Sequence, residues 1–432
     1  MTKVCAAVVI AVLSTAITTV AQSPPATAAG IAEQLRQLSL NPTAIYRVRD
    51  LHLSRGDIKI YLNEGILAFA APVAGHSVAA VFSTQDVEAG DAEILVLPLQ
   101  RSERASLARY TKTPNLDEHF NQAIFLFTDE TYSELLRQIE QGMVRKEVTL
   151  ADQITTHWNP TIRNVAGDLD VRIAGSLLDN HPPGRGFFYG IIGSPRLQPF
   201  DVMYEPTERE PIVIGQISSE APGGPQFRVW ASFAGHHAPA ANSVQPATLS
   251  DFRIDSTIHS DLSMSSVTKF TAVPRESGSR VLELDISNRM KVTSASIDGR
   301  PAEVFQRESI RDSDEFHVSS FLVVADKPFV QGQALTVEIH HAGSVIEDTG
   351  HGVYFVSSRN AWFPHQLVDF ANFDLTFHCP ENLNVVSTGE LLSDDVSGGV
   401  RTVHRRTIAP ARFAGFNLGN FESVATTQDG YH

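Results

Sequence analysis

From about residue 250 onward the chain is written almost entirely in period two, and no other feature restricts its fold as strongly. Within 280–286, Leu282, Leu284 and Ile286 share one face while Val281, Glu283 and Asp285 take the other. Successive strand residues point to opposite sides of a sheet, so such a run makes a half-buried strand rather than a helix with one apolar stripe. Leu335, Val337 and Ile339 repeat the pattern, and so do Phe373, Leu375 and Phe377. The runs 295–297 and 302–305 flank Asp298-Gly299, a dipeptide suited to a tight hairpin turn. Residues 316–324 are expected to turn at Gln331-Gly332 into 335–341, the short run Val385-Val386 leads to Gly389, and 413–421 closes the series. Strands at about ten-residue spacing with almost no helix predict an all-β antiparallel, sandwich-like domain or open barrel over 249–425, followed by a tail at 426–432.

The first half reads differently. Ile31, Leu35 and Leu38 lie at helical spacing before Asn41-Pro42, and short β-type runs fill 44–99. A helix is expected from Asp129, capped by Asp129 or Thr128, with Tyr132, Leu135, Leu136 and Ile139 as its buried stripe and Gly142 as its end. A second helix is expected within 162–178, although Leu169, Val171 and Ile173 alternate and suit a strand as well. Strands return at 186–192, 211–216 and 227–233. The expectation is a mixed fold: an α+β domain over 29–233, a linker at 234–248 containing AGHHAPAANSVQP, then the β-domain.

The N-terminus fixes the expected compartment. Lys3, the apolar run VCAAVVIAVLSTAITTV at 4–20 and the small residues beyond it have the order of a secretory signal peptide, assigned to 1–28. Cleavage after Ala21 and after Ala28 both suit the pattern. The expected location is therefore periplasmic or secreted, with no membrane association after cleavage. The mature chain would keep Cys379 alone and form no internal disulfide. A net charge of −15 opposes contact with phosphate backbones, so no nucleic-acid partner is expected.

Chemistry-bearing motifs are sparse. None of the sixteen histidines is followed by Glu, so the HExxH that binds zinc from one helical face is missing. His236-His237 falls in the linker, His340-His341 reads as a solvated strand end, and His351 and His365 flank an aromatic run as loop or buried residues. Gly193-Ser194-Pro195 lacks the glycine spacing of a nucleophile elbow, and 184–190 is a loop entering a strand. Asp394-Asp395 and Glu208-Arg209-Glu210 read as solvated turns. Cys379 reads as a partly buried small hydrophobe, with His378 sent to another face. No catalytic, cofactor-binding or metal-ligating residue is therefore assigned.

An ordered series of segments carries a resemblance. VLELDI at 281–286, VTSASIDG at 292–299, QALTVEI at 333–339 with Gly343, and GVYF at 352–355 come first. WFPH at 362–365, FDLTFHCP at 373–380, NVVSTG at 384–389 and FAGFNLGNF at 413–421 follow. In this order they resemble the N-terminal β-domain of the aminopeptidase-N-like zinc metallopeptidases, the gluzincins. Residues 30–245 look like the extra region that some secreted bacterial members carry before it, on the pieces GFFY at 186–189 and YEPTERE at 204–210. The chain departs from the family between Gly352 and Pro364, where no Gln or Glu stands for the usual contact with the substrate amine. The family's catalytic domain, with its zinc and HExxH, would begin after about residue 425.

The resemblance implies the non-catalytic N-terminal part of an exported zinc aminopeptidase, walling one side of a peptide cleft. Its partners would be a downstream catalytic domain or a peptide substrate, and the chain alone would be inactive, with zinc belonging to the missing domain. The alternative is a stand-alone β-sandwich binding or scaffold module. A wall of this kind would leave apolar surface exposed on its 353–373 side.

Overall fold

The computed structural model describes residues 26–85, 87–142, 145–147, 149–179, 185–219, 225–236, 246–311, 318–357, 359, 361–366, 370–419 and 421. The expected leader up to residue 25, most of the expected linker (237–245) and the expected tail at 426–432 lie outside the described residues.

Thr27 opens the first helix by accepting from the Gly30 amide at 3.0 Å. That helix, α1 (Ala28–Arg36), buries Ile31 and Leu35. Ala28 is itself fully buried, so the fold begins inside the segment assigned to the leader. A long hairpin of β1 (Leu40–Arg55) and β2 (Ile58–Ala70) follows, then β3 (Ala79–Ser83) and β4 (Asp91–Val96). Next come α2 (Arg101–Thr111), β5 (Leu116–His119), β6 (Gln122–Phe127), α3 (Thr131–Gln141) and β7 (Arg145–Lys146). The helices α4 (Ala151–Asp168) and α5 (Asp170–Asp179) precede β8 (Phe188–Gly193), β9 (Phe200–Tyr204), β10 (Ile212–Ser218) and β11 (Gln226–Phe233).

These strands make one sheet in the order β11-β10-β9-β8-β6-β3-β2-β1-β7, with β4 pairing β2 and β5 beyond it. In β2, Ile66, Ala68 and Ala70 join the apolar cluster under α1, α4 and α5, while Leu67 and Phe69 join the cluster under α2 and α3. Helices on both faces explain why ILAFA is apolar without alternation. The expected helix from 129 is α3, but its N-cap is Glu130 rather than Asp129 or Thr128; the Asp129 carboxylate, one residue earlier, accepts from the Thr131 amide at 2.9 Å, and Leu135 and Ile139 are buried. The expectation within 162–178 resolves as helix, in two pieces, and α4 starts eleven residues earlier than read (162 − 151). In the first half α2, β5, β6, β7 and β9 were missed. The helix α2 buries only Leu107 and Thr111, too little for a stripe, and its local signal was the Glu103 carboxylate accepting from the Gln100 amide at 2.8 Å. The strand β9 has five residues and no alternation.

Among the described residues every helix lies before residue 180, and the remainder is strand and turn. The elements are β12 (Ala247–Ile258), β13 (Met264–Pro274), β14 (Val281–Ser287), β15 (Met290–Ile297), β16 (Arg300–Gln306), β17 (Val318–Val324) and β18 (Leu335–Gly343). After them come β19 (Ile346–Asp348), β20 (Tyr354–Val356), β21 (Phe373–Pro380), β22 (Asn384–Ser387), β23 (Glu390–Ser397), β24 (Val400–Arg406) and β25 (Phe416–Gly419). Ten of them form a sheet in the order β14-β17-β16-β15-β18-β13-β12-β21-β24-β23. A single apolar cluster joins Leu284 and Phe321 from one end of that order to Val337, Ile339, Phe252 and Leu375 from its middle, so the sheet curls over its own core. Leu335, Val337 and Ile339 face this core, as alternation required. The Asp298-Gly299 turn joins β15 to β16 with φ of 50° and 74°, the left-handed pair that a two-residue hairpin needs.

Two expectations need correction. The sheet is not wholly antiparallel: β12 runs parallel to β21, with Phe252 opposite Phe373 and Ile254 opposite Leu375. More than a hundred residues separate the two strands, ample chain for a crossover that returns in the same direction. Nor do β17 and β18 pair across Gln331-Gly332, because β17 lies between β14 and β16 while β18 lies between β13 and β15. That turn links two parts of the curled sheet instead. The two halves also share a buried core. Val281, Phe305, Leu322 and Val324 share one buried cluster with α1, α4 and α5.

Polar contacts reinforce that shared core. The amides of Ala28 and Ala29 donate to Glu303 at 3.1 and 2.9 Å, and Arg280 donates to the Ala26 carbonyl. A short loop after β16 clamps the α4–α5 junction. Arg307 lies 3.3 Å from Asp170, the Ile310 amide donates to Asp168 at 3.0 Å, and Arg311 bridges Asp168 and Asp201 at 2.8 and 3.1 Å.

Candidate functional site

The residues singled out from the sequence do not converge on one place. His236 faces Asp57, with Nδ1 2.8 Å from the carboxylate, and His237 lies outside the described residues. His340 meets Glu338 at 2.8 Å on the polar face of β18. His341 does not share that solvated edge: it is buried on the opposite face, its Nε2 2.9 Å from Thr268 Oγ1, and burial pushes its pKa down to about 3. His351 sits on an exposed turn with φ of 58°. His365 is buried, its Nδ1 3.1 Å from the Phe363 carbonyl, and its backbone bridges Asp285. Ser194 Oγ donates to Glu118 and accepts from the Arg196 amide, a turn contact, and Glu118 is itself tied up by the Arg196 guanidinium.

Cys379 is 2% exposed, its thiol directed at the Leu383 carbonyl and pushed up to about 11 by burial, as befits a small core hydrophobe. His378 points the other way, toward Thr402 and Asp255. Asp394 and Asp395 lie exposed on β23. Among the described residues no group of three or more His, Cys, Asp or Glu side chains is placed to hold a metal ion. The aromatic motif at 362–363 is core: Trp362 and Phe363 pack edge-on or tilted against Phe252, Phe373, Phe377 and Phe416, and the indole N–H donates to the Ala414 carbonyl at 2.6 Å.

What the structure does assemble is a cleft of about 490 Å³ between the two halves. One wall comes from α5, the segment before β8 and the β9–β10 loop. The other comes from the end of β13, the turn after it, and the outward face of β14. That outward face is legible in the sequence, since alternation turns Glu283 and Asp285 away from the β-domain core. Six carboxylates line the cleft (Asp179, Glu205, Glu208, Glu276, Glu283 and Asp285) against three guanidiniums (Arg172, Arg185 and Arg275). Arg172 pairs with Glu205, and Arg185 with Glu276 at 2.7 Å. Glu208 lies on the exposed turn expected for it, at the rim of the cleft, where desolvation by the surrounding protein, then the neighbouring Glu205, push its carboxyl above the usual range, with Asp285 adding to the effect. Gln366, just beyond the aromatic motif, lines the same cleft and is 8% exposed. Its Nε2 donates to the Glu283 carbonyl at 3.0 Å, and its Oε1 is buried with no hydrogen-bond partner among the described residues.

A second surface lies around the small sheet formed by β22 and β25. Val353 bridges Gly419, Val386 pairs opposite Asn417, and Ala371 bridges Ala411. Around these backbone contacts Val353, Phe355, Phe370, Val386, Ile408, Phe413 and Phe421 are exposed, Phe370 at 66% and Ile408 at 83%. No helix among the described residues is long and apolar enough to cross a membrane.

No family model and no curated protein matches the chain. Solved structures similar to it include the M1 zinc metallopeptidase from Deinococcus radiodurans, with 15% identity and a TM-score of 0.35 over 40% of this chain and 42% of that one. A mutant two-domain M1 zinc metallopeptidase bound to L-arginine is similar at 16% identity and a TM-score of 0.33, again over 40% and 42%. The chain thus spans less than half the length of these structures.

Proposed function

We propose that this chain is the non-catalytic N-terminal part of an exported aminopeptidase-like protein, a β-sandwich-like domain carrying an α+β unit, that docks a zinc-bearing catalytic domain. The observation that supports this reading is the group of exposed aromatic and aliphatic side chains around β20, β22 and β25, on the side where the motif resemblance ends. Large exposed apolar patches mark interaction sites, because solvating them is costly until a partner covers them. Zinc and the peptide-bond chemistry belong to that partner; this chain contributes a wall.

The test combines the purified chain with a separately expressed catalytic segment encoded downstream. Co-elution and aminoacyl-amide hydrolysis should appear together, and Phe370→Glu with Phe413→Glu should weaken both at least ~10-fold, as loss of central apolar anchors does. Hydrolysis by this chain alone with tightly held zinc, or full activity in the double variant, would sink the reading. A stand-alone binding module is the second reading, favoured by the cleft between the halves.

Export carries its own expected result. Thr27 caps α1, and the backbone of 26–29 is held by Arg280 and Glu303, so cleavage after Ala28 would cut away part of the fold. N-terminal sequencing of the exported protein should therefore find processing after Ala21, with Thr27 retained. A mature terminus at Ala29 would overturn this.

A further inference from the structure

We propose that the cleft between the two halves binds an organic cation: a protonated amine carried on an apolar body about the size of one or two amino-acid residues. The volume of about 490 Å³ falls in the ~300–1,000 Å³ range of small-molecule sites. Its lining is mixed in the way such sites require, with Phe187, Phe329 and Leu335 beside the charged groups. Six carboxylates against three guanidiniums leave an excess of three negative charges, so the interior favours a cation. The arginines interleaved among the acids, and the apolar wall, favour a cation with a hydrophobic body over a bare ion.

Two further observations point to a ligand. Gln366 is more than nine-tenths buried in the cleft wall, its amide nitrogen is committed to the Glu283 carbonyl, and its Oε1 has no donor among the described residues. A buried acceptor left without a donor is unfavourable, and an ammonium N–H supplies one. Glu208 stands near Glu205 and Asp285 at the cleft rim, and desolvation by the cleft walls together with their repulsion raises its carboxyl pKa. A positive charge placed among the three relieves that repulsion. The site owes nothing to the exposed surface around β25, so its fate and that of the docking proposal are separable.

Calorimetric titration of the full chain with phenethylammonium, N-acetylphenethylamine and phenylacetate tests the proposal. The ammonium compound should bind and raise the melting temperature, whereas the neutral and anionic compounds should do neither. Glu208→Gln, at an exposed backbone position, should weaken binding about tenfold while leaving the unliganded melting temperature unchanged. Gln366→Leu should weaken it similarly, and its melting curve without ligand separates lost binding from lost folding. Absence of ammonium binding at millimolar concentration, equal binding of phenylacetate, or undiminished affinity in a folded Glu208→Gln variant would each overturn the proposal.

Discussion

Replacing Arg311 by Met is expected to destabilise the protein by ~3–5 kcal/mol, because it strips a buried carboxylate of its cation. Arg311 stands on the loop after β16 and reaches into the first half, bridging Asp168 and Asp201. Asp201 is nearly buried on β9, and Tyr189 donates its hydroxyl to the same carboxylate. Burial already raises the Asp201 pKa above its ordinary value even though Arg311 pulls it down, so the ionised form is held at a cost. Without Arg311 that cost is uncompensated at neutral pH.

The sign with pH follows. A carboxyl whose folded pKa is raised adds stability below its unfolded value and loses it as pH rises through the folded one. The deficit of the variant should therefore shrink in acid and be full at neutrality. Chemical denaturation checks this, and adding Asp201→Asn should restore much of the loss. A change under ~1 kcal/mol in the single variant would mean that the clamp is solvated and dispensable.

Acid should weaken the fold through His341. Its folded pKa, about 3, lies far below the ordinary 6.5 because the ring is sealed in the β-domain core, with His340 adding a lesser repulsion. A base with a depressed folded pKa contributes stability above its unfolded value, and that stability drains away as pH falls toward the folded one. Between 6.5 and about 3 this residue alone should lower the folding equilibrium roughly tenfold per pH unit. Carboxylates titrate in the same range, so the readout is a difference: His341→Gln, which can still meet Thr268, should show a shallower acid dependence than the parent by about one proton. Parallel slopes would mean that the imidazole stays solvated or protonates in place.

The two neighbouring histidines show where local reading stops. Alternation along β18 places His340 with Glu338 and sends His341 to the opposite face, yet the pair read as a solvated end because a strand's length and partners are not written in its own residues. Much else was local and therefore legible. The inward faces of Leu335, Val337 and Ile339, the Asp298-Gly299 hairpin, the helix beginning just after Asp129 and the burial of Cys379 each depend on residues a few positions apart. Apolar exposure on the 353–373 side was expected from the resemblance, and side chains there are exposed.

Other features were settled only by packing between distant parts of the chain. The parallel pairing of β12 with β21 and the separation of β17 from β18 reflect which edges were free when the sheet curled over its core. The polar strands β23 and β24 are held by ladder hydrogen bonds more than by buried side chains, so they left little hydrophobic signal. The cleft is the furthest from the sequence. It brings Asp179, Glu208, Asp285 and Gln366 together from four segments, and its space exists because two curved surfaces meet without filling the gap between them. Period determined the outward face of Glu283 and Asp285; only the tertiary structure decided what that face meets, because facing depends on how whole layers pack.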